Sequence, residues 1–287
     1  MKNFILKSFC KVNLSLRVVR KLNTGYHSIV SLITFCKLYD TVSISNSYDS
    51  KDQIYFFGKF KRGINKRSNT ITKVLSLLRK KKLIGNQTFK IKVKKNIPQG
   101  SGLGGGSSNA ASLLNFFNSK MKLNLSKKFL NELAIKIGSD VPVNLERKNS
   151  LLTGESGKII RLKNKFNFNL LIVYPNLVCS TKKIYSKNKI IRLSKFRSFT
   201  YLKNKKKLIK MLIKENNDLE KTVIKIYPKI KGIIEYIKSL DGCYFSRITG
   251  SGSACIGLFS NMKNAVYAKK LIKLKYPNYW CVVSKTI

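Results

Sequence analysis

Five glycines fall within seven residues, Gly100 to Gly106, in the stretch IPQGSGLGGGSSNAASLLNFF from Ile97 to Phe117. No other segment limits the fold as tightly. Glycine reaches left-handed backbone conformations without strain and lets backbone N–H groups come close to a ligand. Ahead of the run, FKIKVKKNIP alternates like a strand and ends in Pro98; behind it, Ala110, Leu113, Leu114 and Phe117 lie on one helical stripe. A strand, a glycine turn and a helix start together make a cradle for an anion, because the helix dipole and its unpaired N–H groups both favour negative charge. Ser107 and Ser108 add hydroxyls where the helix is expected to begin.

Two other phosphate loops fit poorly. Gly100, Gly102 and Gly105 satisfy G-x-G-x-x-G, but the roughly 20 residues that follow hold no Asp or Glu to take a ribose hydroxyl. A P-loop places Lys and then Ser or Thr after its last glycine, whereas Gly105 is followed by Gly106, Ser107 and Ser108. A flexible turn is the bland alternative, and it rarely needs so many glycines.

With 287 residues, 43% of them apolar, the chain can fill one large core or two ordinary ones. The opening MKNFILKSFCKVNLSL is broken by Lys7 and Lys11 and reads as a strand rather than a signal peptide. No run approaches the roughly 20 apolar residues of a membrane span, so a soluble, cytoplasmic protein is expected. Six cysteines show no C-x-x-C pair and there is one histidine, which argues for reduced thiols and against structural zinc. Lys and Arg number 58 against 12 Asp and Glu, a formal net charge of +46. Such a balance normally points to nucleic acid. Here the lysines are spread along the chain, in clusters such as 80–82 and 203–207, and Lys, Asn and Ile, whose codons are rich in A and T, are over-used together. The excess reads as a solvated surface whose field favours anionic substrates.

Residues 4–19 and the apolar segment 28–45 read as strands, 69–83 as an amphipathic helix capped by Asn69, and 127–137 as a helix between an N-cap at Ser126 and Gly138. Residues 146–170 read as polar loop and mark a domain boundary, giving 1–160 and 161–287. The second part shows a strand from 169, helices near 205–214 and 229–240, a strand at 243–248, the turn TGSGSA, a strand CIGLF, a helix near 262–275 and a last strand. That order suggests a small α/β sandwich.

PQGSGLGGGSSNAA resembles the phosphate-binding signature of the GHMP kinases, the superfamily of galactokinase, homoserine kinase and mevalonate kinase. CKVNLSL at the start, GYH at 25–27, GSDVP at 138–142, NDLE at 217–220 and RITGSGSACIGLF at 247–259 are similar, in the same order, to further motifs of this superfamily. They point to the branch that phosphorylates a hydroxyl of a cytidine-diphosphate-linked sugar alcohol in isoprenoid precursor synthesis. The resemblance implies an α+β, two-domain fold: an N-terminal domain like the second domain of ribosomal protein S5 and a C-terminal ferredoxin-like sandwich. It implies ATP and Mg²⁺ as cofactors and a small-molecule substrate; neither membrane nor nucleic acid is expected as partner, and a homodimer is left open.

The same resemblance implies the site. Asp140 would take the substrate hydroxyl's proton, beside Lys11, which offsets the developing charge; Cys10 stands where the family usually has alanine. Pro98, Gln99, Gly100, Ser101, Gly102, Leu103, Gly104, Gly105, Gly106, Ser107 and Ser108 would hold ATP, with Ser108 the metal contact. Tyr26 and His27 would read the cytosine, Thr181 and Tyr185 would close over it, and Asn13 would touch the substrate. Gly250, Gly252 and Ser253 would pack against the phosphate loop. Two rivals stay open: another GHMP kinase, such as homoserine or mevalonate kinase, and a basic nucleic-acid-binding protein on a kinase-like fold.

Overall fold

Alternating apolar residues in the first fifty positions form three strands: β1 (Phe4–Asn13), β2 (Arg17–Lys21) and the long β3 (His27–Ser47). The structure, a computed structural model, describes residues 3–23, 25–153, 158–188 and 204–287. Next come β4 (Gln53–Phe57), α1 (Thr70–Lys80), β5 (Thr88–Lys94), α2 (Gly105–Lys120), α3 (Lys127–Ile137) and the single turn α4 (Val141–Asn144). β6 (Ser150–Thr153), β7 (Lys158–Arg161) and β8 (Asn169–Tyr174) follow, then α5 (Thr181–Lys187), α6 (Lys205–Lys214), α7 (Glu220–Ile226) and α8 (Lys229–Lys238). The chain ends with β9 (Cys243–Ile248), β10 (Cys255–Phe259), α9 (Met262–Lys275) and β11 (Trp280–Lys285).

These elements pack as two compact units. The first comprises Met1–Lys11, Leu38–Gln99 and Gly104–Arg147; the second comprises Val12–Lys37, Gly100–Leu103 and Lys148–Ile287. Strands β1 and β3 therefore divide between them, as does the glycine loop.

In the first unit β5 pairs in parallel with β4 and antiparallel with the C-terminal half of β3, Thr41 opposite Lys94 through Ser47 opposite Thr88. Strict alternation in β5 buries Phe89, Ile91 and Val93 and exposes Lys90, Lys92 and Lys94. Against that buried face lie Ile71, Val74, Leu75 and Leu78 of α1 and Leu113, Leu114 and Phe117 of α2. Phe117 meets Phe89 edge to face, with ring centroids 5.1 Å apart, a geometry that adds to the area they bury. Helix α1 begins where expected because the Asn69 side chain accepts from the N–H groups of Ile71 and Thr72 while Thr72 answers with its hydroxyl. Ser126 starts α3 in the same way, through the N–H of Phe129.

In the second unit the sheet order is β11-β8-β10-β9, every neighbour antiparallel. Helices α5 to α8 connect β8 to β9, and α9 connects β10 to β11. A β-α-β-β-α-β chain with the first strand in the middle of that order is the ferredoxin-like arrangement the resemblance implied. Its core gathers Leu171 and Val173 of β8, Ile230, Ile233 and Ile237 of α8, and Ala265, Ala268 and Ile272 of α9.

Two expectations change. The strand read over 4–19 is interrupted at Leu14–Leu16, where Leu16 bridges to Asn217 rather than continuing the ladder. The loop read over 146–170 contains the antiparallel pair β6–β7, Ser150 opposite Arg161 to Thr153 opposite Lys158; residues 154–157 of that stretch lie outside the described residues. Neither SLLT of β6 nor KIIR of β7 alternates apolar with polar, so no strand pattern shows in the sequence.

Candidate active site

The glycine run has the conformation that its composition demanded. Gly102 and Gly104 sit at φ +78° and +66°, the left-handed region that favours glycine. Space is equally restrictive: a Cβ at Gly102 would lie 2.0 Å from the Thr249 carbonyl oxygen, and one at Gly104 would lie 2.7 Å from Cγ of Lys11. The loop thus presses directly on its neighbours. In the first unit, Gly104 precedes α2 with no side chain capping the helix, so the first N–H groups of α2 have no side-chain cap. Ser108, almost fully buried, donates its hydroxyl to the Phe9 carbonyl at 2.7 Å. Pro98 is buried, and the Gln99 amide bonds to the carbonyls of Phe60 and Arg62.

A buried carboxylate fastens this end of the loop. Asp40, fully buried, accepts from the Lys95 ammonium, from the Asn109 side chain at 3.1 Å, and from the backbone N–H groups of Asn96 and Ile97 at 2.7 and 2.9 Å. Charge and hydrogen bonds together satisfy a group that burial alone would make costly. Sequence reasoning missed Asp40 and Lys95, since no motif marks them; a lone Asp inside the apolar segment 28–45 was the only signal.

Also in the first unit, Lys11 Nζ lies 3.2 Å from Asp140 Oδ2, with side-chain exposures of 4% and 41%. The lysine stem runs against Gly104, which explains why that glycine tolerates no side chain. Asp140 stands at the start of α4 without capping it, and its backbone carbonyl is held by the Asn144 side chain. Helix α3 stops at Gly138 and Pro142 opens α4, so GSDVP sets the carboxylate on a tight corner. The structure brings together the two residues expected to do the chemistry.

The second unit carries the other expected residues. Its part of the loop, Gly100 to Leu103, meets the TGSGSA turn that joins β9 to β10: Ala254 N–H donates to the Ser101 carbonyl at 3.0 Å. Leu103 is fully buried. Asn13 donates its backbone N–H to the Thr249 hydroxyl and its side-chain amide to Ser31. The Thr181 and Ser251 hydroxyls share a hydrogen bond of 2.9 Å. His27 and Tyr185, 158 positions apart in sequence, lie with ring centroids 5.1 Å apart. Tyr26 is 66% exposed. Burial, with Lys21 nearby, holds the His27 imidazole below its ordinary 6.5, so at neutral pH it is uncharged, one nitrogen donating and the other accepting. Thr249 and Ser251 were not singled out beforehand, although they lie inside a motif that was.

None of the six cysteines forms a disulfide; burial pushes the Cys179 and Cys243 thiols up to about 11 and about 12, which leaves them protonated and poor nucleophiles. Among the described residues no three His, Cys, Asp or Glu side chains gather to hold a metal ion, and no helix is long and apolar enough to cross a membrane.

Residues 69–145 match the family model for the GHMP kinases N terminal domain, and residues 200–273 the model for GHMP kinases C terminal. The two domain models together identify a GHMP kinase. A 4-diphosphocytidyl-2-C-methyl-D-erythritol kinase of Pelagibacter ubique (strain HTCC1062) is 41% identical over 289 residues, covering 100% of both chains. The chain belongs to that family of kinases. A crystal structure of 4-(cytidine 5'-diphospho)-2C-methyl-D-erythritol kinase, 23% identical, matches with a TM-score of 0.77 over 99% of this chain and 100% of that one. Homoserine kinase from Cytophaga hutchinsonii ATCC 33406 matches with a TM-score of 0.71 over 100% and 95%, at 15% identity; that likeness is one of fold.

Proposed function

We propose that the protein transfers the γ-phosphoryl group of ATP to the 2-hydroxyl of 4-diphosphocytidyl-2-C-methyl-D-erythritol, a step in isoprenoid precursor synthesis, with Asp140 as the base. The observation that carries the residue assignment is the 3.2 Å pair between buried Lys11 and the more exposed Asp140, set against Gly104 of the phosphate loop. Asp140 takes the proton as the hydroxyl oxygen bonds to the γ-phosphorus; the bond from that phosphorus to the bridging oxygen breaks, and ADP leaves. Lys11, buried and paired with Asp140, holds it in place and stabilises charge on the transferring group.

The glycine loop grips the phosphates through backbone N–H groups, with residues 98–108 as the nucleotide site. Magnesium, when bound with the nucleotide, would supply charge neutralisation to the phosphates. A magnesium ion keeps water and phosphate oxygens as most of its ligands, so the single hydroxyl of Ser108, which donates to the Phe9 carbonyl and leaves its oxygen able to accept, would be the protein group that holds it. His27, neutral, presents a donor and an acceptor to the cytosine edge; Tyr26 offers an open ring face for stacking; Asn13, Thr181 and Tyr185 complete the substrate contacts. We assign the catalytic part to 1–160 and the C-terminal part to 161–287. With no disulfide among the six cysteines and, among the described residues, no helix long and apolar enough to cross a membrane, we place the protein in the cytoplasm.

The test is a coupled assay of ADP release with ATP, Mg²⁺ and each candidate acceptor. Turnover is expected with the cytidine compound; turnover with homoserine or mevalonate in its place would overturn the assignment.

A further inference from the structure

The NDLE segment, Asn217 to Glu220, contributes none of the groups assigned above, yet it is among the most densely bonded stretches of the second unit. Its backbone pairs with Leu16: the Leu16 N–H donates to the Asn216 carbonyl at 3.1 Å and the Asp218 N–H to the Leu16 carbonyl at 2.9 Å. From that fixed point the side chains run in two directions. Asn217, 4% exposed, donates to the Ile248 and Gly250 carbonyls at 3.1 and 2.8 Å and accepts from the Leu219 N–H at 3.0 Å. Glu220 accepts from the Ile248 N–H at 2.9 Å. Asp218 accepts instead from the N–H of Val18, in β2, at 2.8 Å.

Each direction leads to one substrate end. Gly250 sits at φ +55° with the Gly102 carbonyl oxygen 2.9 Å and Asn13 Oδ1 3.2 Å from where its Cβ would be. Holding the Gly250 carbonyl therefore holds the turn on which the phosphate loop rests. Strand β2 runs on, across a register shift between Val18 and Arg20, to Lys21, which pairs with His27 across the hairpin. Holding Val18 therefore fixes the register that presents His27 and, one residue earlier, Tyr26. A one-residue slip in a two-stranded pairing would turn every side chain to the other face.

We propose that Asn217 and Asp218 are positioning residues that set the two substrate ends separately, Asn217 the phosphate-loop end through Gly250 and Gly102, and Asp218 the base-reading end through the β2–β3 hairpin. The proposal rests on the function assigned above. Asn217→Asp keeps the acceptor for Leu219 but removes both donors. It is expected to raise KM for ATP about tenfold, from the loss of buried hydrogen bonds, while KM for the cytidine compound rises less than about threefold. Asp218→Ala is expected to do the reverse, and Asp218→Asn, which keeps an acceptor for Val18, to recover most of the loss.

The experiment measures both KM values, and the affinities for a non-hydrolysable ATP analogue and for CDP, on full-length variants whose circular dichroism matches that of the parent. If Asn217→Asp fails to fold, Asn217→Ser, which keeps one donor, carries the same expectation at smaller size. Both KM values moving by equal factors in both variants, or neither moving, overturns the proposal, since general loosening produces that pattern. Absence of turnover with the cytidine compound in the parent protein would instead refute the assigned function. In that case the ATP-analogue affinity still decides the role of Asn217, with Asp218→Ala as its contrast.

Discussion

Lys11 is buried and Asp140 is not, and this asymmetry decides what each substitution would do. An ammonium out of water needs its partner and the nearby backbone, whereas a carboxylate with 41% of its side chain exposed is already solvated. Asp140→Asn should therefore leave thermal unfolding and ATP affinity close to the parent values and lower turnover by about 10²- to 10⁴-fold, the usual worth of a general base. Rapid-mixing kinetics with a parallel nucleotide titration checks this, and near-normal turnover would remove Asp140 from the role of base. His27 offers a second test because it is the chain's one histidine. Its value in the folded protein lies below 6.5, so its contribution to stability is complete above pH 6.5 and is lost as pH falls through the folded value. The imidazole resonances in an NMR titration should show a midpoint below 6.5, and affinity for CDP should weaken over the same interval as the ring gains its second proton. At this scale the sequence was readable where a residue type is rare in its setting: a lysine between Cys10 and Asn13 on an apolar strand, one histidine in a glycine turn, an aspartate after a helix-stopping glycine. It was silent on Asp40 and marked Asn217 only as part of the NDLE motif without a role, because both act on carbonyls and N–H groups brought close only by folding.

Elements with strong local signals formed where expected. Asn69 and Ser126 start α1 and α3, Gly138 ends α3, and the period-two pattern of β5 places its apolar residues on the buried face. Elements without such signals did not show themselves: β4, β6 and β7 have only four or five residues, and α4 is a single turn. The glycine loop lies between these cases, since its composition announced unusual backbone without saying which glycine is indispensable. The structure separates them. Gly102 combines φ +78° with a Cβ position 2.0 Å from the Thr249 carbonyl, while a Cβ on Gly106 would meet nothing nearer than Thr70 at 3.6 Å. Gly102→Ala must move backbone and should cost about 1–3 kcal/mol or more, the range for forced backbone strain. Gly106→Ala, within α2, should leave stability unchanged or raise it by up to about 1 kcal/mol, because alanine favours helix. Urea unfolding of the two variants measures both values, and equal losses would show that the loop is not held as described.

At the scale of the whole chain, domain organisation and charge were legible to different degrees. The boundary drawn at 160 is linear because composition changes there, whereas the compact units interleave because β1, β3 and the glycine loop each contribute residues to both. Connectivity of that kind leaves no mark on local composition. The charge, in contrast, was fully legible, and its consequence can be argued from number alone. With 58 basic and 12 acidic residues, most cations lack an acidic side chain to pair with, so the folded state concentrates like charges and repels itself. Salt shortens the reach of that repulsion, from about 30 Å at 0.01 M to about 10 Å at 0.1 M. The thermal midpoint should therefore rise between those two concentrations. The same screening removes the attraction that gathers ATP, so kcat/KM for ATP should fall over the same range while kcat stays constant. Binding to RNA or DNA should weaken steeply with salt and show no preference for sequence, since a diffuse surface of lysines meets phosphates but reads no base edges. Differential scanning calorimetry, steady-state kinetics and a competition titration with unrelated oligonucleotides test the three together. A midpoint that falls with salt would mean that ion pairs outweigh repulsion. A salt-resistant, sequence-selective complex would mean that the positive surface is organised for a nucleic acid, and the charge would then need a second function rather than a screening argument.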